Sequence, residues 1–68
     1  MTHYYLRFYA SGREIQAFFA PDWYGLSDAE IQRVAQGVCA GMYCKYKHPS
    51  VEVWEMTLRG SELRHRIN

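Results

Sequence analysis

The residues of this chain best suited to chemistry are Cys44, His48 and Glu52. A thiol, an imidazole and a carboxylate are the parts of a nucleophilic site, in which the carboxylate orients the imidazole and the imidazole activates the thiol. Such a site also requires a pocket that excludes water and holds the groups in place. A chain of 68 residues has little room for one. We therefore expect a non-enzymatic protein without catalytic residues.

The same cysteines and histidines are weak candidates for a metal site. Cys44 and His48 form only a C-x3-H pair, and Cys39 or a distant histidine would have to complete it. Zinc sites usually have two pairs of closely spaced ligands, and neither that pattern nor a glycine-rich phosphate loop is present. We expect no metal and no cofactor. A disulfide between Cys39 and Cys44 is disfavoured, because a helical separation of five residues points the two side chains in different directions.

The elements that position these residues begin with a helix over Leu26 to Tyr43. Ser27 and Glu30 have the spacing of a capping box, in which each side chain binds the backbone N–H of the other residue. The apolar positions that follow have the spacing of one helical face, with Cys39 on its flank; they are Ile31, Val34, Ala35, Val38 and Met42. This pattern predicts an amphipathic helix that packs on a sheet or on another helix.

Gly37 and Gly41 lie on the other flank of this helix. Each glycine costs about 1 kcal/mol of helix propensity relative to alanine. We expect a compensating close approach at this row, most simply by the protein's own sheet or loop. A binding partner in the same place is the functional alternative. Membrane dimerisation is excluded, because charged residues interrupt the segment and the chain has no long apolar run.

Two strand-like runs precede the helix, Tyr4 to Ala10 and Glu14 to Ala20, joined by the turn residues Ser11 and Gly12. A hairpin in regular register produces one apolar face, composed of Tyr4, Leu6, Phe8, Ile15, Ala17 and Phe19. The opposite face is mixed and holds His3, Tyr5, Arg7, Tyr9, Glu14, Gln16 and Phe18.

A third strand is expected over Val51 to Leu58. We expect Trp54, Met56 and Leu58 to face the core, because the opposite choice would bury Glu55 without an evident partner. The fold class is then α+β, a ββαβ arrangement with a three-stranded antiparallel sheet in the order 2-1-3 and one helix on one face. Residues 1–60 would form a single domain, and residues 61–68 a short basic tail.

One face of such a sheet is left uncovered, and aromatic residues and arginine are concentrated there. These residue types dominate binding hot spots, because they bury much area with few rotatable bonds. The candidate partner-binding residues include two from the aromatic loop before the helix, and they are Tyr5, Arg7, Tyr9, Phe18, Trp23 and Tyr24. The simpler interpretation is a sheet face that carries exposed aromatic residues but binds no partner, since exposed tyrosines are common.

The charge pattern decides among the partners. The net charge is only +1, and acidic residues are expected beside the aromatics, which disfavours a single-stranded nucleic-acid reader. A protein partner requires no excess of either sign. We expect a protein-binding module of the cytoplasm, with a homodimer or adaptor as a further alternative. Its size suits the stoichiometric inhibitors that phages and other mobile elements carry, including anti-CRISPR proteins.

Overall fold

The fold is α+β, with a four-stranded antiparallel sheet and one α-helix. The computed structural model describes residues 2–68. The elements, in chain order, are β1 (His3–Ala10), β2 (Arg13–Ala20), a 3-10 turn (Pro21–Gly25), α1 (Asp28–Met42), β3 (Pro49–Thr57) and β4 (Gly60–Ile67). The strands lie in the order β2-β1-β3-β4. The fold class and the expected neighbours of β1 are confirmed, but the expectation of three strands is wrong.

The first hairpin turns at Ser11 and Gly12, as the sequence predicts. Both residues have positive φ angles, of 52° and 80°, which suits a two-residue turn that matches the twist of its strands. The register is regular only near the turn, because Tyr9 pairs with Glu14 and Phe8 with Gln16. Ile15 is therefore the extra residue of a β-bulge, and every later residue of β2 lies on the face opposite to the one expected.

The helix begins as its sequence indicates. Ser27 Oγ accepts from the Glu30 backbone N–H at 3.2 Å, and Glu30 Oε1 accepts from the Ser27 N–H at 3.0 Å. The capping box is confirmed. The buried face of the helix differs slightly from the predicted apolar stripe. Cys39, expected on the flank, is buried, whereas Val34, expected within the stripe, is exposed.

The core lies between α1 and the sheet. Its buried members are Leu6, Ala20, Ile31, Ala35, Cys39, Met42, Val51 and Val53. Val51 and Val53 are fully buried, so the expectation that Trp54, Met56 and Leu58 face the core is wrong. The reason is that Glu55, on the same side as the valines, does have a partner: Arg64 donates to it with bonds of 2.7 and 3.2 Å.

Residues 61–68, expected as a tail, lie almost entirely in β4. This strand pairs with β3 through a turn at Leu58 and Arg59, neither of which is typical of a tight hairpin turn. A bulge at Arg64 interrupts the pairing, since Val53 faces His65 and Trp54 faces Leu63. Side-chain contact ties β4 to the start of the helix, where His65 Nε2 lies 2.9 Å from Asp28 Oδ1.

The two helix glycines are not explained by close packing. Within the described residues, a Cβ atom added at Gly37 or Gly41 would meet no heavy atom within 4 Å outside the local helix backbone. The expected approach of the protein's own sheet or loop is therefore wrong, and both positions face solvent.

Candidate functional site

The sheet face turned away from α1, called here the open face, is organised in rows that cross the strands. One row is apolar and consists of Phe19 on β2, Tyr5 on β1, Trp54 on β3 and Leu63 on β4. The next row consists of Ala17, Arg7, Glu52 and Arg66. We call them the apolar row and the charged row. Neighbouring strands lie about 4.8 Å apart, so each row spans about 14 Å.

Arg7 joins the two rows by stacking on aromatic rings. The rings of Tyr5 and Trp54 are nearly parallel, with centroids 6.2 Å apart and an angle of 9° between their planes. The Arg7 guanidinium lies 5.5 Å from the centroid of Tyr5 and 5.0 Å from that of Trp54. Both contacts are within cation–π range. The ring faces that point toward the charged row are therefore already covered by the protein's own cation.

Glu52 is the centre of the charged row and the one buried charged residue in the part of the chain that is described. Its Oε1 accepts from Tyr9 Oη and from Trp54 Nε1, both at 3.0 Å. Its Oε2 accepts from Arg66, at 3.2 Å from Nε and 2.7 Å from Nη2. The carboxylate thus fixes the phenol, the indole and the guanidinium at once, which holds the open face in one conformation.

The electrostatics agree with this network. Burial alone raises the pKa of Glu52, but hydrogen bonds from Arg66, Trp54 and Tyr9 outweigh it, and the pKa is lowered from its ordinary value. Burial and the neighbouring Glu52 carboxylate raise the pKa of Tyr9, so that its hydroxyl stays protonated and donates. Glu52 is therefore ionised at neutral pH, and both of its carboxylate oxygens accept hydrogen bonds.

Around this fixed centre the open face presents apolar side chains that nothing in the described chain covers. Phe19 is 55% exposed, Met56 47% and Leu63 41%. Phe19 and Leu63 end the apolar row on the two edge strands, and Met56 lies one row further along β3, where it pairs with His3. Exposed apolar groups around a rigid polar centre are typical of interaction surfaces.

The structure brings together three of the residues predicted to bind a partner and separates the others. Tyr5, Arg7 and Tyr9 share the open face. Phe18 does not: the bulge at Ile15 turns it to the helix side, where its ring lies 5.2 Å from that of Phe8.

The two residues predicted from the aromatic loop lie in the 3-10 turn. Trp23 packs against the buried core on the helix side of the sheet, and Tyr24 is exposed in the same turn. Trp23 therefore does not share the open face with Arg7, because the sheet separates the two side chains.

Six residues on the two rows of the open face or beside them were missed by the sequence reasoning: Phe19, Glu52, Trp54, Met56, Leu63 and Arg66. Two signals could have found them. Val51 and Val53 are strong strand formers that suit a buried face, which leaves Trp54 and Glu52 for the other face. The alternation of charged residues after Gly60 also suits an edge strand that pairs with β3.

The residues considered for catalysis do not form a site. Both oxygens of Glu52 are engaged on the open face, whereas Cys44 and His48 are exposed in the connection after the helix. Cys39 and Cys44 are free thiols, and burial raises the pKa of Cys39, which makes it unreactive. Among residues 2–68 there is no cluster of three or more histidine, cysteine, aspartate or glutamate side chains that could hold a metal ion.

Comparison with protein-family models, with curated protein sequences and with solved structures finds no match to this chain. No helix in the described part of the chain combines the length and the apolar character needed to cross a membrane.

Proposed function

We propose that this chain is a non-enzymatic protein-binding module that docks on a larger protein through its open face. The observation that carries the proposal is the combination of exposed Phe19, Met56 and Leu63 with a centre whose side chains are already fixed by hydrogen bonds. The hydrogen-bonded side chains of this centre have little conformational entropy left to lose on binding, which reduces the cost of association.

The contacts within the open face favour a protein over a single-stranded nucleic acid. Base stacking requires free ring faces. Arg7 already lies over the rings of Tyr5 and Trp54, which leaves less of each ring for a base. The exposed groups of the open face include the apolar side chains of Phe19, Met56 and Leu63, which suit contact with a protein.

In its specific form, the proposal is a stoichiometric inhibitor carried by a phage or another mobile element, such as an anti-CRISPR protein. The small size of the chain supports binding rather than turnover, because it leaves little room for a pocket that excludes water. The proposal places the protein in the cytoplasm, which its two free thiols support.

The proposal is tested by capture from a bacterial lysate, treated with nuclease, with three tagged forms of the chain. These are the unchanged protein, an open-face variant with Phe19→Ser and Leu63→Ser, and a matched control with Val34→Ser and Tyr43→Ser. All four positions are exposed, so the fold is retained in both variants. We expect a protein that the unchanged chain and the control retain and that the open-face variant loses.

Capture that depends equally on both pairs of positions would contradict the proposal, and so would capture that is seen only from a parallel lysate without nuclease treatment. If a partner is captured, its own activity is then titrated with the chain. A stoichiometric inhibitor reaches full effect at about one equivalent when both proteins are well above the dissociation constant.

A further inference from the structure

The two arginines of the charged row are more exposed to solvent than its glutamate, Glu52. The side chain of Arg7 is 39% exposed and that of Arg66 is 59% exposed, whereas the Glu52 side chain between them is only 9% exposed. Glu52 therefore lies beneath the surface and the two guanidiniums lie above it. The row holds two arginines and one glutamate, and because the glutamate is buried, what the row presents to a partner is two positive groups.

Both guanidiniums retain hydrogen-bonding capacity. A guanidinium has five N–H donors. Arg66 uses donors on Nε and Nη2 for Glu52, which leaves the others unused by that carboxylate. The carboxylate nearest to Arg7 is that of Glu14, and the atoms Nε and Oε1 are 3.6 Å apart, longer than a hydrogen bond.

Taking this surface as the site of the proposed function, we infer that its partner is an acidic protein segment that combines carboxylates with apolar side chains. Two of its carboxylates bind Arg7 and Arg66, which lie on strands two spacings apart, so that their backbones are about 10 Å from each other. Its apolar residues cover the adjacent apolar row, between Phe19 and Leu63. A carboxylate can accept two parallel bonds from one guanidinium, which fixes the register of the segment on the face.

Glu14 allows a test in which two substitutions are expected to change the affinity for the partner in opposite directions. Its carboxylate is 47% exposed and competes for Arg7. Arg7→Gln removes one of the two cations, while Glu14→Gln frees the same cation for the partner. A structural defect on this face would weaken binding in both variants, whereas recognition of an acidic segment requires weaker binding in the first and tighter binding in the second.

The probe is a displayed library of random twelve-residue peptides, selected on the immobilised full chain at low salt. We expect enriched peptides that contain aspartate or glutamate together with aromatic or aliphatic residues. One enriched peptide is then synthesised and titrated. Arg7→Gln should weaken its binding about tenfold, and Glu14→Gln should tighten it about twofold to fivefold. Arg33→Gln, on the exposed side of α1, is the matched control and should change nothing.

Arg66→Gln should also weaken binding about tenfold. Because Arg66→Gln removes the partner of the Glu52 carboxylate, its urea unfolding curve is recorded beside the titration. Arg7→Gln removes none of the four hydrogen bonds to Glu52, so its titration decides between the alternatives if Arg66→Gln unfolds. Enrichment of basic or uncharged peptides would overturn the inference, and so would no enrichment over an unrelated protein. Neither result affects a partner captured from lysate, so the proposed function would stand. Binding of a labelled twelve-nucleotide oligo-dT that is lost in Arg7→Gln would overturn both.

Discussion

Replacement of Glu52 by glutamine should destabilise the fold by an amount that can be worked out from its two oxygens. Tyr9 and Trp54 both donate to Oε1, whereas both bonds from Arg66 reach Oε2. A glutamine can keep its carbonyl oxygen at the Oε1 position and retain the first two bonds. Its amide nitrogen then replaces Oε2 and turns N–H groups toward the Arg66 guanidinium.

The expected loss is therefore that of the charged pair. Hydrogen bonds to charged groups contribute about 1.5–3 kcal/mol, and Arg66 is exposed enough to be hydrated when it is released, so we expect about 2 kcal/mol. For a domain of this size that corresponds to a fall in Tm of about 10 °C. The loss in the free energy of unfolding is measured by urea unfolding followed by tryptophan fluorescence.

The pH dependence separates lost charge from lost packing. The pKa of Glu52 is lowered in the folded state, so the carboxylate stabilises the protein above its unfolded pKa of about 4.3, and this contribution is lost as the pH falls through the folded value. The difference in the free energy of unfolding between the unchanged protein and Glu52→Gln should thus shrink as the pH falls below about 4.3. A difference in the free energy of unfolding that is equal at pH 7 and pH 3 would refute the reasoning, as would full stability of Glu52→Gln at pH 7.

Three further predictions test the helix and the sheet. Ser27→Ala should cost about 1 kcal/mol in urea unfolding through loss of the cap, and an unchanged curve would contradict the capping box. Gly37→Ala and Gly41→Ala should each stabilise the protein by up to about 1 kcal/mol, since a methyl group meets no neighbour there. A loss of stability would mean that something packs on this row. Val53→Ala should cost about 2 kcal/mol and Met56→Ala little, because only the valine is buried; the reverse order would contradict the assignment of the β3 faces.

The sequence predicted the parts of the fold that depend on neighbouring residues. The capping box involves Ser27 and Glu30, three positions apart, and the first turn involves only Ser11 and Gly12. Both were identified because local backbone chemistry determines them. The fourth strand was missed because its pairing depends on β3, and because Gly60, which has a positive φ and closes the turn, was interpreted only as the end of the third strand.

The composition of the open face could be predicted only in part, for two physical reasons. A bulge shifts every later side chain to the other face, and nothing in the residues around Ile15 indicated one, so Phe18 was assigned where Phe19 lies. The face of β3 was inverted because Glu55 had no visible partner, and its partner Arg64 lies in the strand that was missed. Tyr5, Arg7 and Tyr9 were placed correctly because β1 itself has no bulge residue and alternates regularly.

The central claim is that the open face is the binding surface, and hydroxyl-radical footprinting of the complex with the captured partner tests it most directly. Oxidation of exposed side chains is measured by mass spectrometry with and without the partner. We predict protection of Phe19, Met56 and Leu63, with unchanged oxidation of Tyr24 and Tyr43, which are equally exposed outside the open face. Protection of the two tyrosines with unchanged oxidation of the open face would contradict the account.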